Sequence, residues 1–325
     1  MRALRVHNYE AGTVPVLDEL PIPPCGPDEV RVCVLAAGIS LVDLLVASGS
    51  YQIRKDPPFT GGTEFSGVVE TVGAADTSGL QVGDRVCGTR QGAWSQFLVV
   101  PGAILQRVPQ EASATETAVL IAPYATALYA LQERAHLRTG ETLLVLGATG
   151  SVGYAAVQLG KVLGARVIAV ATGARKAEVA TQAGADHVVD GAGAWKDEVK
   201  ALAGKPGVGV VLDTVGGDAT DAAFRTLGWN GRQLMVGFAS SQIGMLKTNL
   251  AILKGASLVG VDFREATQRE PQIAAQVKQQ VVAFYREGRI RPLVYATLPV
   301  QRFSEARSLV QDRGTIGRVV VDFRT

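Results

Sequence analysis

The stretch Leu143 to Lys176, LLVLGATGSVGYAAVQLGKVLGARVIAVATGARK, constrains the fold of this chain more than any other. Leu143–Leu146 is a short, wholly apolar run, the signature of a strand buried on both faces. Gly147, Gly150 and Gly153 punctuate a turn. A helix is expected from about Val152 to Leu163, with Gly164 just past its end, and Arg166–Ala171 is a second strand. This is a βαβ unit whose glycine turn opens a helix, where backbone N–H groups and the helix dipole favour a pyrophosphate. The fingerprint G-x-G-x-x-G falls on Ala148, Gly150 and Gly153, so the first glycine is replaced. Gly150 lets the backbone approach the phosphates, and Gly153 lets helix and strand pack closely.

The end of the second strand bears on which dinucleotide binds. An NAD site places an acid there, about 20 residues on, against the ribose 2′-hydroxyl. Here stand Ala171, Thr172 and Gly173, followed by Arg175 and Lys176, with no acid before Glu178. A hydroxyl and two cations suit a 2′-phosphate, so the expected cofactor is NADPH. The alternative is that Arg175 and Lys176 merely solvate the first turn of the next helix.

The same alternation continues from Thr142. Strands are expected at Leu143–Leu146, Arg166–Ala171, His187–Asp190, Val208–Asp213, Gln233–Val236 and Ser257–Val261, which predicts an α/β, doubly wound parallel sheet. Before it, Arg2–Val6, Val16–Leu20, Val30–Ala36, Phe65–Val72, Asp84–Cys87 and Ser95–Val100 are valine-rich runs bounded by Gly, Pro and Asp, as in a mainly β domain. One helix, Leu41–Ala47 with Ser40 as N-cap, interrupts them. Ala118–Leu137 reads as two helical segments around Pro123. After a helix at Glu270–Glu287, the tail reads strand, helix, strand at Val294–Leu298, Phe303–Val310 and Arg318–Phe323, in the character of the N-terminal part. The nucleotide-binding unit, 124–265, is therefore expected as an insertion in a domain formed by 1–123 and 266–325.

The chain has 325 residues, enough for about two domains. A net charge of +2 argues against a nucleic-acid surface. No run of 18 apolar residues suits a membrane span, and no signal peptide is recognisable, so a cytoplasmic location is expected. Three scattered cysteines and three scattered histidines suit neither a disulfide framework nor a closed metal cage.

Segments along the whole length resemble the medium-chain dehydrogenase/reductase superfamily, in its zinc-independent quinone oxidoreductase branch. Among them are AAGISLVDLLVASGSYQ at 36–52, PPFTGGTEFSGVVETVG at 57–73, VGDRVCG at 82–88, GAWSQFLVVP at 92–101, VVLDTVGG at 210–217 and GTIGRVVV at 314–321. The resemblance implies a GroES-like catalytic domain carrying an inserted Rossmann sheet. It implies cofactor contacts from Thr126, from Gly150, Ser151 and Val152 to the pyrophosphate, and from Thr172, Arg175 and Lys176 to the 2′-phosphate. Phe238, Ala239, Ser240, Val261 and Phe263 would flank the nicotinamide. Zinc-dependent relatives hold their catalytic metal at positions that match Ser40, Thr63 and Ala122, so no metal is expected here. Tyr51 and Ser40 are the candidate catalytic side chains, at the carbonyl oxygen or as proton donors. Ser40 stands where many relatives have asparagine, and Phe263-Arg264 replaces a frequent Trp-Gly. Asp43 is retained, with capping of a helix start as its alternative role.

The implied reaction is metal-free hydride transfer from NADPH to a small-molecule acceptor, a quinone or an α,β-unsaturated carbonyl compound. The alternatives are an enoyl-thioester reductase and a non-catalytic NADPH-binding protein. The resemblance also implies a homodimer formed through the edge strand near 257–261.

Overall fold

The computed structural model describes residues 1–10, 13–52, 54–312 and 314–324. The chain divides into two compact units, Met1–Ala122 with Lys278–Thr325, and Pro123–Val277.

The second unit is built on a six-stranded parallel sheet. Its strands lie in the order His187–Asp190, Arg166–Ala171, Thr142–Leu146, Val208–Asp213, Leu227–Met235 and Ser257–Gly260. Strand order reverses between Thr142–Leu146 and Val208–Asp213, the switch point at which such sheets open a ligand crevice beyond their carboxyl ends. Leu143 to Leu146 are buried on both faces, which accounts for their uninterrupted apolar character. The helix Ser151–Val162 turns a stripe of small residues towards the sheet. Gly160 makes that approach possible: a Cβ there would come within 2.7 Å of the Leu143 side chain and 2.9 Å of Val167. Gly164, at φ +79°, ends the helix in the left-handed region, as the sequence predicts.

The first unit holds the two halves of the mainly β domain in one sheet. Arg318–Asp322 pairs antiparallel with Glu29–Ile39, so the C-terminal segment completes the sheet begun by the N-terminal one. The second unit thus lies between two parts of the first in sequence, and it runs to Val277, beyond the expected 265. Glu29–Ile39 also pairs with Glu64–Val72 and Phe97–Pro101. Trp94 is fully buried, packs edge-on against Phe303 with centroids 4.8 Å apart, and donates from Nε1 to the Gly38 carbonyl at 3.0 Å. Gly61 and Gly62 leave room for its indole, since a Cβ at either would fall within 2.4 Å and 2.2 Å of ring atoms.

Several details depart from the sequence reading. Pro123 does not separate two helices; it sits in the first turn of a single helix, Ile121–Tyr129, where its missing N–H leaves no hydrogen bond unmade. A five-residue π-helical turn, Ala130–Arg134, follows directly. The fifth parallel strand is longer than expected and begins at Leu227, with Asn230, at φ +59°, and Gly231 lying within it. Phe263–Arg269 is a further helix, capped by Asp262, whose side chain accepts from the Glu265 N–H at 3.0 Å. Phe59–Thr60 and Gln106–Arg107 are two-residue strands, too short to show a period. No described helix is long and apolar enough to cross a membrane.

Candidate functional site

The parallel strands of the second unit deliver most of the cofactor candidates to one edge of its sheet. Gly150, Ser151 and Val152 follow Thr142–Leu146; Thr172, Arg175 and Lys176 follow Arg166–Ala171; Phe238, Ala239 and Ser240 follow Leu227–Met235; Val261 follows Ser257–Gly260. The glycine turn is sterically exacting. Gly147 takes φ +67°, and a Cβ there would meet the Thr214 hydroxyl at 2.5 Å. A Cβ at Gly153 would fall 2.1 Å from the Gly147 carbonyl oxygen. Gly150 is exposed and is the N-cap residue of the twelve-residue helix Ser151–Val162, so the first N–H groups of that helix face an open turn. These features fit a dinucleotide pyrophosphate.

The neighbouring turn holds Thr172 exposed, Gly173 at φ +85°, and Arg175 and Lys176 in the first turn of the helix Ala174–Gln182. Lys176 makes no ion pair among the described residues. Phe238 is 48% exposed. Gly216, at φ +74°, leaves space beside it, since a Cβ there would meet the Phe238 ring at 2.7 Å. The loop carrying Phe238, Ala239 and Ser240 is tied to the next turn by Ala239 N–H to Thr214 O at 3.0 Å and Ser240 N–H to Val215 O at 2.9 Å. Phe263 is buried, with its ring 5.5 Å from that of Tyr129. Thr126 lies part-buried on the helix Ile121–Tyr129.

Two residues that sequence reasoning left without a role hold the switch point together. The Thr214 hydroxyl donates to the Leu146 carbonyl at 3.0 Å, joining the two central strand ends. Asp213 is fully buried and accepts from Val215 N–H and Gly216 N–H, both at 2.9 Å, from the Thr220 hydroxyl at 2.8 Å and from Gln233 Nε2 at 3.0 Å. An acid closing an apolar strand before Gly-Gly was the available signal.

In the first unit Ser40 caps the helix Leu41–Ala47 through a capping box. Its hydroxyl accepts from the Asp43 N–H at 3.1 Å while Asp43 Oδ2 accepts from the Ser40 N–H at 2.9 Å. The Ser40 hydroxyl also donates to Asp43 Oδ2 at 2.6 Å, and the Thr63 hydroxyl donates to Asp43 Oδ1 at 2.7 Å. Asp43 is buried, and burial outweighs these hydrogen bonds and the charge of Arg318, holding its carboxyl above the ordinary range. Next to Thr63, Glu64 pairs with the buried Arg318 and accepts the Ala122 N–H at 3.3 Å. Its carboxyl is also held up, by burial, against the charge and hydrogen bond of Arg318. Tyr51 is part-buried, and its hydroxyl has no hydrogen-bond partner among the described residues. No three described His, Cys, Asp or Glu side chains are grouped so as to hold a metal ion.

Comparison with known proteins places this geometry. Residues 26–110 match the family described as alcohol dehydrogenase GroES-like domain, and residues 151–279 the family described as zinc-binding dehydrogenase. Quinone oxidoreductase-like protein 2 of Rattus norvegicus is 36% identical over 304 residues, covering 93% of this chain and 87% of its own. The chain belongs to the medium-chain dehydrogenase/reductase superfamily, in its quinone oxidoreductase branch. Among solved structures, a probable oxidoreductase from Mycobacterium abscessus superposes with a TM-score of 0.89 at 32% identity, over 99% of this chain and 98% of the other. A mycobacterial protein solved in complex with NADPH superposes with a TM-score of 0.88 at 28% identity, over 99% and 100%. This is a family of oxidoreductases, and a nicotinamide cofactor is bound by a member of the same fold.

Proposed function

We propose that this oxidoreductase uses NADPH to reduce a quinone or an α,β-unsaturated carbonyl compound without a metal ion. The observation that carries the reading is the donor set at the positions where zinc-dependent relatives hold their metal. Ser40 and Thr63 offer hydroxyls whose protons both go to Asp43, and Ala122 offers no side-chain ligand. That set does not fit zinc, which is bound by thiolate, imidazole or carboxylate. Without a Lewis acid, the acceptor must be electrophilic by its own conjugation, and a quinone or enone is.

When bound, NADPH supplies the hydride. The backbone of Gly150, Ser151 and Val152 would hold the pyrophosphate at the start of a helix. Thr172, Arg175 and Lys176 would hold the 2′-phosphate, supported by the lack of an acid at the end of the Arg166–Ala171 strand. Thr126, Phe238, Ala239, Ser240, Val261 and Phe263 would position the nicotinamide and keep water from it. Tyr51 and Ser40 are the side chains assigned to the acceptor oxygen. Stripping the protein with a chelator and offering it NADPH with a simple quinone tests the metal-free part. Full turnover supports it; activity that returns only on adding zinc overturns it.

The protein is further proposed to form a homodimer through the Ser257–Gly260 strand. This strand closes one edge of the parallel sheet, carries no charge or proline to discourage pairing, and exposes Leu258. Ile252 and Leu253, on the helix before it, are 82% and 69% exposed. A second copy of the chain related by a two-fold axis would pair this edge and cover these side chains.

A further inference from the structure

Two buried acids in the first unit share one buried cation. Asp43, Glu64 and Arg318 are 3%, 2% and 6% exposed. Arg318 pairs through Nη2 with Glu64, and its Nε has no hydrogen-bond partner among the described residues. With both acids ionised, the cluster would keep one uncompensated negative charge away from water, a state that proton uptake relieves. Cys87, which feels the charge of Glu64, is pushed up to about 12 by burial and remains a neutral thiol, so it adds no charge.

The cluster has an outlet. Ser40 is only part-buried, and its hydroxyl lies 2.6 Å from Asp43 Oδ2. Such a separation serves both directions of donation. With Asp43 ionised, Ser40 and Thr63 spend their protons on the carboxylate and present only lone pairs. With Asp43 neutral, the acid donates to Ser40, and the Ser40 proton is released for a ligand.

We propose that Asp43 stores the proton consumed in the reduction and that Ser40 delivers it to the acceptor oxygen. This rests on the reading of the protein as a reductase of conjugated carbonyl acceptors. The hydride from the nicotinamide cofactor carries two electrons and one hydrogen to the acceptor, and leaves negative charge on the acceptor oxygen. That oxygen forms a bond to the Ser40 proton as the Ser40 O–H bond breaks. Ser40 Oγ takes the Asp43 proton in the same movement. Asp43 is left as a carboxylate and recovers a proton from solvent, so each acceptor consumes one hydride and one proton. Ser40 is then the catalytic residue. Asp43 and Thr63 are positioning residues, Thr63 holding the second carboxyl oxygen at 2.7 Å.

Two measurements on the intact protein test this. The first needs no turnover: the carboxyl carbon-13 resonance of Asp43, assigned with Asp43→Asn, is followed from about pH 4 to about pH 9. The expected midpoint lies above the ordinary aspartate value of about 3.9, and Ser40→Ala and Thr63→Val, each removing a donor to the carboxylate, move it higher. A midpoint at or below the ordinary value overturns the proposal. The second is the pH profile of turnover with NADPH and a simple quinone. The wild-type rate should fall as pH rises through the same midpoint. Asp43→Asn and Ser40→Ala should lose about 100-fold in kcat, the scale of general acid catalysis, and lose that pH dependence, while Ser40→Thr retains both. A wild-type profile in folded Asp43→Asn overturns the proposal. Absence of wild-type turnover with every quinone and enone offered is a different result: it sinks the reductase reading, and proton delivery with it.

Discussion

Gly153 lies so close to Gly147 that a Cβ on it would come within 2.1 Å of the Gly147 carbonyl oxygen. No rotamer relieves that contact, because both groups are backbone or directly attached to it. Gly153→Ala should therefore displace the start of the Ser151–Val162 helix from the turn. The expected cost is about 1–3 kcal/mol, as for overpacking elsewhere, with NADPH binding weakened at least about tenfold. Calorimetric unfolding and a fluorescence titration with NADPH would read the two effects. An unaltered affinity would show that the turn does not form the phosphate site.

Asp213 organises the other side of the switch point through four hydrogen bonds inside a fully buried position. Asp213→Ala leaves two backbone N–H groups, a hydroxyl and an amide without their acceptor. Each unsatisfied buried group costs about 1–3 kcal/mol, so this variant should be among the least stable single substitutions in the second unit. Thermal unfolding is the readout, and a midpoint close to wild type would contradict the account.

These two residues also show what was legible in the sequence. Gly153 stood out because a glycine in the first turn of a helix that follows an apolar strand and a glycine turn has a steric reason to be there. Asp213 did not, because its partners are two backbone groups, a hydroxyl seven residues on and an amide twenty residues on, which carry no pattern. The buried strand Thr142–Leu146 was readable as an apolar run, and Leu41–Ala47 was readable from its cap. The strand from Leu227 was hidden by Asn230 and Gly231, and the helix from Phe263 by a cap that looks like a loop acid. Glu64 and Arg318 lie 254 positions apart, and only the closing of the sheet by the C-terminal strand brings them together.

That pair makes a pH prediction. Arg318→Met leaves Glu64 buried without its cation and should cost about 3–5 kcal/mol near neutral pH. Burial holds the folded-state carboxyl of Glu64 above its ordinary value, and Arg318 opposes this, so removing Arg318 raises it further. A group raised on folding contributes stability that is full below its unfolded value and is lost as pH rises through its folded value. The deficit of the variant should therefore shrink on acidification towards about pH 5. Unfolding midpoints at several pH values test this; a deficit constant with pH would contradict it.

Leu258, 49% exposed on the edge strand, tests the proposed dimer. Leu258→Arg places a charge where two copies would pair, and should give a monomeric mass by light scattering at micromolar concentration while wild type gives twice that mass. A wild-type monomer, or an unchanged dimer in the variant, would contradict this assignment.

The most direct test of the central claim is kcat/KM for NADPH and for NADH, measured side by side with one quinone under chelation, for wild type and for Arg175→Ala/Lys176→Ala. The account predicts a preference for NADPH of about tenfold or more, the scale of a charge-assisted hydrogen bond to phosphate. The double variant should lose that preference without loss of the NADH rate. Equal use of the two cofactors by wild type, or a preference for NADH, would contradict it.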